Sequence, residues 1–406
     1  GRRLKMYFLT KFLSKIIKQD GFVLTRENDS RKFLIGTPLV SKPLEVKISK
    51  KVSELKLLLH PEKWFPEYII SEDITFTNGT LEDFITIAIH NKGRKNINIF
   101  NSLISNAKSI YRRLLSFNTR SRNKKSIGFH YDIPSQVYEY MLGESMMYSC
   151  AYWDKGGPDK QTLTEAQNAK INFLKKKLLI NERDKLLEVG FGNGTFLLNI
   201  AEEHNIPLHG VSLSEEQTKV AKKKQKEKNL DNANIIFEVK DFKDIKGKNL
   251  YSKLISIGQM EHSLNYKSYF KKIYDLLTEN GIAVIHYIGS NTVPRPQNDF
   301  IQKYIFPYGY CPSLSDVIPA IEKSGLLLAD VDIWRKHYFY SLVEWHKNFM
   351  NKKEKITKLM GEKFTRIYRI YLWGCAQSFL NDLQVMQLTL TKKIDVVPIT
   401  KKYLFN

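Results

Sequence analysis

From about residue 165 onward, short apolar runs alternate with longer amphipathic stretches. Runs at 185–189, 208–212, 235–239, 253–258, 281–287, 326–332 and 385–391 have the length of buried strands. Helical spacing at 165–178, 195–204, 214–229, 266–277 and 313–323 separates most of them. This alternation predicts an α/β fold, a doubly wound parallel sheet of seven strands. Ligands of such sheets bind beyond the carboxyl ends of the strands, at the switch in strand order, so strand-end residues carry most weight. Two stretches break the alternation. Residues 290–312 are rich in proline, glycine and aromatics, and 338–384 add helices before the last strand; together they predict a helical lid.

The chain ahead of this region has a different pattern. GFVLTREN, RKFLIGTP, LEVKIS and ELKLLLH, within residues 21–60, read as short strands, and a helical stretch from Leu81 to His90 closes a small α+β unit. Residues 6–18 place Phe8/Leu9, Phe12/Leu13 and Ile16/Ile17 four apart with lysines at 11, 15 and 18, a short basic amphipathic helix. Its apolar face is expected to pack on its own domain, with membrane docking as the alternative. The expected division is 1–110 for the α+β unit, 111–140 for a basic helical connector and 141–406 for the doubly wound domain. Arg112, Arg113, Arg120 and Arg122 mark the connector.

The densest chemistry sits in Lys185 to Gly194, KLLEVGFGNG: a buried strand, a turn with Gly190, Gly192 and Gly194, then a helix. Glycines allow a sharp turn and a close backbone approach to a ligand, and Glu188 is expected to direct a carboxylate at the same turn. A G-x-G-x-G spacing fits a dinucleotide or S-adenosylmethionine. An acidic residue ending the second strand would favour the dinucleotide, but Ser212 stands there, followed by Leu213, the N-cap Ser214 and Gln217. The third strand leads to Phe242, an aromatic face for an adenine or simply core. The fourth ends in Gly258-Gln259-Met260-Glu261-His262, and the fifth carries His286 within an apolar run. Upstream, Tyr148-Ser149-Cys150-Ala151-Tyr152-Trp153 concentrates aromatics around a thiol.

Charge changes the picture in one respect. The 406 residues hold 64 Lys+Arg against 42 Asp+Glu, a formal +22, which favours an anionic partner, nucleic acid or acidic lipid. Cys150, Cys311 and Cys375 are far apart, which argues against a disulfide framework or a zinc site and suits a reducing cytoplasm. No uninterrupted apolar run is long enough to span a bilayer.

Seven stretches in register carry a family resemblance: YSCAYW (148–153), LLEVGFGNG (186–194), GVSLSEEQ (210–217), SIGQMEH (256–262), IHYIGS (285–290), KYIFPYGYCPS (303–313) and the run from Tyr338 to Trp345. Over about residues 127–391 the chain resembles the cyclopropane fatty acid synthases, which include the mycolic acid cyclopropane synthases. The resemblance implies a Rossmann-like S-adenosylmethionine-dependent methyltransferase. Tyr148, Ser149, Glu188, Gly190, Gly192 and Gly194 would then surround the methionine end of the cofactor, Ser212, Leu213 and Gln217 its ribose, and Phe242 its adenine. It also implies a bicarbonate ion held by Cys150, Glu261, His286, Tyr338 and the Ile288 backbone, and it gives Cys375 as a candidate catalytic thiol. The family's usual G-C-G-W-G is here G-F-G-N-G, so Phe191 is expected to alter the packing behind the loop and Asn193, in place of tryptophan, to reshape the cofactor rim.

The chemistry so implied is attack of a cis double bond on the methyl sulfonium, then loss of a proton as a cyclopropane closes. Such a site needs a dry channel and aromatic faces that stabilise a cation, expected from Tyr148, Tyr152, Trp153 and Tyr338. It also needs a base, expected to be bicarbonate rather than Cys375. The expected partner is an unsaturated phospholipid in an anionic membrane, met at the inner face of the membrane by a cytoplasmic, peripheral enzyme. Family members are often dimers, so a homodimer is compatible. Methyl branching without ring closure is the alternative within the same scaffold. A nucleic-acid methyltransferase lacks support from any RNA-binding module, and a non-catalytic membrane scaffold sits badly with the intact set of site residues.

Overall fold

The computed structural model describes residues 2–92, 133–231, 233–263, 265–292, 295–307 and 309–405. Most of the expected basic connector, with its four arginines, lies outside them.

Within the first 92 residues four short strands form a small sheet and four helices pack with it. The strands are β1 (Phe22–Arg26), β2 (Asp29–Ile35), β3 (Glu45–Ile48) and β4 (Ile74–Thr77), in the order β2-β1-β3-β4. The helix Arg2–Ile16 turns Met6, Leu9 and Leu13 into this unit, with Ile17 just past its end, and leaves Tyr7 and Phe8 on the outside. Its apolar face is therefore used internally. ELKLLLH, expected as a strand, is instead the helix Glu54–Leu59. Ser53 caps it by accepting from the Lys56 amide, and Glu54 and Leu57 are buried three apart, so a helical period overrides the local strand preference.

The larger sheet comprises β5 (Leu186–Val189), β6 (Leu208–Ser212), β7 (Ile235–Val239), β8 (Tyr251–Ile257) and β9 (Leu277–Ser290). A two-residue ribbon, β10 (Arg295–Pro296) with β11 (Tyr310–Cys311), follows, and then β12 (Leu327–Trp334) and β13 (Leu383–Thr391). The order is β12-β13-β9-β8-β5-β6-β7. From β9 to β7 all neighbours are parallel, but β13 lies antiparallel to both β9 and β12, so the sheet is not parallel throughout. The intervening helices 337–351, 353–360 and 362–378 return the chain to the end of the sheet at which β12 leaves, where Trp334 pairs with Val385, so β13 runs antiparallel to β12.

Alternate residues of the strands feed two cores. Leu186, Ile255, Ile282 and Val284 face the helices 163–178, 195–203 and 215–227, whereas Leu187, Leu254, Ala283 and Ile285 face the helices 266–276 and 314–324. Each such fully buried aliphatic side chain contributes roughly 1.5–3 kcal/mol. A third core joins the N-terminal unit to the lid helices without a break. Polar ties reinforce it. Glu82 accepts from Arg369 at 2.6 Å through both carboxylate oxygens and pairs with His346 at 2.9 Å. Trp373 Nε1 donates to Thr86 Oγ1 at 2.9 Å. Burial alone would raise the Glu82 carboxyl, but the bonds from His346 and Arg369 bring it down to about 2.

Candidate active site

β5 is buried along its whole length between β6 and β8, the point at which the strand order reverses. Gly190 follows it with φ +76°, and a Cβ there would lie 2.8 Å from Gln259 Oε1. Gly194, at φ +77°, opens the helix 195–203, and a Cβ on it would strike Ala221 and Phe237. Glycine is thus required at both positions by backbone and by space. Gly194 offers no side-chain cap, and Glu188 substitutes by accepting from the Leu197 amide in the first helical turn.

A cleft of about 420 Å³ opens at the ends of β5, β6, β7 and β8, lined by Gly190, Ser212, Leu213, Phe242, Gln259 and His262, among others. Ser212 Oγ bonds Gln217 Oε1 at 3.1 Å, and the Gln217 amide donates to Ser214 Oγ, so the expected ribose-side residues form one connected group. Phe242 stands edge-on to Tyr269 at 5.1 Å, buried yet with a face on the cleft. Beneath the turn, Glu188 is 2% exposed and its Oε2 has no hydrogen-bond partner among the described residues. Burial pushes this carboxyl up, opposed by Lys170 and the Leu197 amide. An orphaned carboxylate oxygen under a glycine turn, beside a cleft with an aromatic wall, suits a cofactor with an ammonium, a ribose and an adenine.

A second group gathers at the ends of β8 and β9. Glu261 Oε1 accepts from the Ile288 amide at 2.6 Å, Oε2 is buried without a partner, and burial raises the carboxyl to about 7. His286, two residues before Ile288 on β9, receives Gln387 Nε2 on its Nδ1 at 2.8 Å and lies edge-on to Trp334 at 5.4 Å. Burial, with Lys170 and Lys177 nearby, keeps this imidazole neutral, and the amide on Nδ1 puts its proton on Nε2. Tyr338 lies within electrostatic range of Cys150, Cys375 and Glu261, and burial holds its hydroxyl well above the usual range. Burial likewise raises both thiols, Cys150 and Cys375, so each is neutral.

The family profile of mycolic acid cyclopropane synthetase matches residues 118–388. The chain belongs to this family. It is accordingly an S-adenosylmethionine-dependent methyltransferase. It is 34% identical over 271 residues, 64% of this chain and 68% of the other, to a probable fatty acid methyltransferase of Pseudomonas putida. It is 28% identical over 284 residues, 69% of this chain and 71% of the other, to the cyclopropane-fatty-acyl-phospholipid synthase of Escherichia coli K12. Among solved structures, the mycolic acid cyclopropane synthase CmaA1, complexed with SAH and CTAB, aligns with TM-score 0.59 and 26% identity over 64% of this chain and 95% of that one. The cyclopropane synthase MmaA2 of Mycobacterium tuberculosis shares the fold at TM-score 0.60 and 24% identity, covering 66% and 97% of the two chains.

Where this member departs from the family's glycine loop, the replacements have partners. Phe191 packs on Phe237 at 4.9 Å, in space that Gly210 leaves free, and Asn193 Nδ2 donates to the Met146 carbonyl at 3.1 Å. The loop is thereby tied to the segment that carries Tyr148 to Cys150. The neighbouring residues are held as follows. The Tyr148 hydroxyl bonds Tyr371 at 2.8 Å and its ring meets Trp345 at 5.3 Å. Ser149 Oγ receives Lys170 Nζ at 2.7 Å. A Cβ on Gly192 would meet nothing within 4 Å. The Ile288 amide is engaged by Glu261 because a buried carboxylate takes the nearest donor.

The expected aromatic set also divides. Tyr148 and Tyr338 meet through Trp345, and Phe379 packs on Tyr338 at 4.6 Å, whereas Tyr152 stacks between Phe173 and Trp334 and Trp153 Nε1 bonds Ser341. Three participants escaped the sequence reading: Gln259 on the cleft, Gln387 behind His286, and Lys170. The available signal for Lys170 was a lysine in core register, with Leu163, Ala166, Gln167 and Leu174 buried on the same helix.

Proposed function

We propose that this enzyme passes a one-carbon unit from S-adenosylmethionine to the cis double bond of an unsaturated phospholipid acyl chain and closes a cyclopropane ring. The observation that carries the reading is Glu261: a buried carboxyl pinned to β9, its second oxygen unpartnered, raised toward neutrality and within range of Tyr338. A group of that kind, poised near its own pKa, can take or return a proton at neutral pH.

S-adenosylmethionine supplies the electrophilic methyl group. Glu188 receives the methionine ammonium, Ser212 and Gln217 hold the ribose, and Phe242 covers the adenine. The bound cofactor would offer its methyl carbon to the alkene, with the sulfur–carbon bond as the one broken, and a proton lost from the added carbon to a nearby base would let the ring close. Tyr148, Tyr338 and Trp345 give a cation on the acyl chain aromatic surroundings that do not attack it. Cys150 and Cys375 stay protonated, which protects them from alkylation and removes Cys375 as the base.

The chemistry of the acceptor group suits a small anion: a neutral imidazole with its proton on Nε2, a phenol, a thiol and a carboxyl that is protonated over part of the neutral range. Bicarbonate held by Cys150, Glu261, His286 and Tyr338 would supply a base there, with the Ile288 amide fixing Glu261 beside it. The +22 charge supports attraction to anionic headgroups at the inner face of a membrane. Among the described residues no helix is long and apolar enough to cross a membrane. In this scheme residues 1–110 serve as a lipid-contacting or subunit-contacting domain and 141–406 as the catalytic domain.

The fatty acid methyltransferase of Pseudomonas putida favours a second reading, methyl branching without a ring. Lipid analysis of a heterologous host expressing the chain separates the two. Both products require added carbon on unsaturated acyl chains, and NMR of the purified lipid distinguishes cyclopropane methylene from branch methyl. Unaltered lipids beside methylated RNA would refute both.

A further inference from the structure

A second cleft, sharing no residue with the cofactor cleft, opens where β12 ends and β13 begins. Its volume is about 1320 Å³, against about 420 Å³ for the first. Ile333, Arg335, Lys336 and His337 line it from the β12 side, and Phe379 and Leu380 from the end of the helix 362–378. The lining combines charge and apolar surface. Arg335 and Lys336 are consecutive and exposed, and among the described residues neither forms an ion pair. Ile333 and Leu380 are exposed as well, so large apolar side chains stand in water beside the two cations. His337 adds a neutral donor, because its Nδ1 accepts from the Trp153 amide at 2.9 Å and the ring proton is left on Nε2. The acid of the lining, Asp382, is buried, so the open surface is cationic.

The cleft backs onto the acceptor group. Phe379, on its wall, packs on Tyr338 at 4.6 Å. His337 stands 5.4 Å from Trp334, whose ring is in turn 5.4 Å from His286. We propose that this cleft seats the phosphodiester headgroup of the lipid substrate, with the phosphate on Arg335 and Lys336, the glycerol against Ile333 and Leu380, and an acyl chain led past Phe379 to Tyr338. This rests on the reading of Glu261 and Tyr338 as the place where the double bond reacts. Arginine suits the task because its planar fork can grip two phosphate oxygens at once, and lysine adds a point charge on a flexible stem. The overall +22 draws the enzyme to any acidic surface. Two cations at one mouth do something narrower: they orient a single lipid at the site.

The test is turnover of the full chain on an unsaturated phospholipid dispersed in uncharged detergent micelles, which removes the attraction of an anionic surface. Arg335→Gln/Lys336→Gln should raise KM for the phospholipid about tenfold or more through the lost charge-assisted bonds, with kcat within about threefold. Both side chains are exposed, so the variant should fold and bind S-adenosylmethionine as wild type does by calorimetry. Lys222→Gln/Lys226→Gln, which removes the same charge from exposed positions of the helix 215–227, should leave KM where it is. An unsaturated diacylglycerol, which has the tails without the phosphate, should give one and the same raised KM with wild type and with Arg335→Gln/Lys336→Gln. A water-soluble glycerophosphodiester should compete with the phospholipid on wild type and about tenfold more weakly on that variant.

An unchanged phospholipid KM in Arg335→Gln/Lys336→Gln overturns the headgroup assignment and leaves the transfer reaction standing. An equal rise for the diacylglycerol, or in Lys222→Gln/Lys226→Gln, does the same. Inorganic phosphate that inhibits through Arg335 and Lys336 without competing with the phospholipid would make the cleft a site for a free anion, which also overturns it. A wild type that transfers carbon to no lipid overturns the reading of the acceptor group and the headgroup site with it.

Discussion

Replacing Glu261 with glutamine should make the protein more stable at high pH while it stops turning over. Burial raises the Glu261 carboxyl from 4.5 to about 7, so between those values the folded protein keeps a proton that the unfolded chain has released. Folded and unfolded states then differ in bound protons such that stability falls as pH rises through this window, and above the folded value the whole penalty is present. A shift of that size corresponds to about 3 kcal/mol. Glutamine cannot ionise, and its oxygen can still accept from the Ile288 amide. The amide nitrogen takes the position of Oε2, which has no partner in wild type either, so the two neutral side chains are comparable.

The assay is urea unfolding of both proteins at about pH 5 and about pH 8.5, with other titrating groups cancelling in the double difference. The variant's advantage should be larger at the higher pH by about 3 kcal/mol. Turnover should fall by roughly 10²–10⁴-fold, the usual worth of a positioned acid–base group, while S-adenosylmethionine binds nearly as before. An equal gap between the two proteins at both pH values would refute the assignment of a raised carboxyl. A parallel loss of cofactor affinity would make Glu261 structural.

Gly190→Ala forces a side chain into a positive φ and against Gln259, and it should weaken S-adenosylmethionine binding about tenfold or more by calorimetry; unchanged affinity would remove the turn from the cofactor site. Cys375→Ser should retain turnover within about tenfold, since a thiol held protonated is no base, and a loss comparable with that of Glu261→Gln would restore it as a catalytic group. Glu82→Ala leaves Arg369 and His346 without their carboxylate and should lower stability by about 3–5 kcal/mol in urea unfolding; a change of a few tenths would mean that the tie is ornamental.

The parts of this molecule that sequence discloses are those in which local pattern and global packing agree. β5 is apolar because it is buried on both faces, its turn carries glycine at 190 and 194 where a Cβ would clash, and Ser214 announces the helix after β6 by capping it. Direction was not legible in the same way. β13 has the apolar run of any central strand, and nothing local records that it enters antiparallel after three lid helices.

Helix 54–59 was hidden because Leu57, Leu58 and Leu59 suit either period until Ser53 is seen to cap it. The destination of aromatic rings was also obscure: Tyr148 and Tyr152 are four residues apart in one motif yet serve different clusters, one around Trp345 and one around Trp334. Lys170 was masked by its surroundings, since Lys175, Lys176 and Lys177 crowd the same helix and of these only Lys177 is also buried.

The clasp on the helix 362–378 has a practical corollary for anyone wishing to shorten this enzyme. Ile367, Ile370, Tyr371 and Leu372 share one core with Ile69, Ile70, Ile85 and Ile87. Cutting the chain before residue 133 would strip that helix of its cover, strand the guanidinium of Arg369, and loosen the wall on which Cys375 and Tyr371 stand. A minimal catalyst would need a redesigned outer stripe on this one helix, with polar residues in place of Ile370 and Trp373, before the front third of the molecule could be discarded.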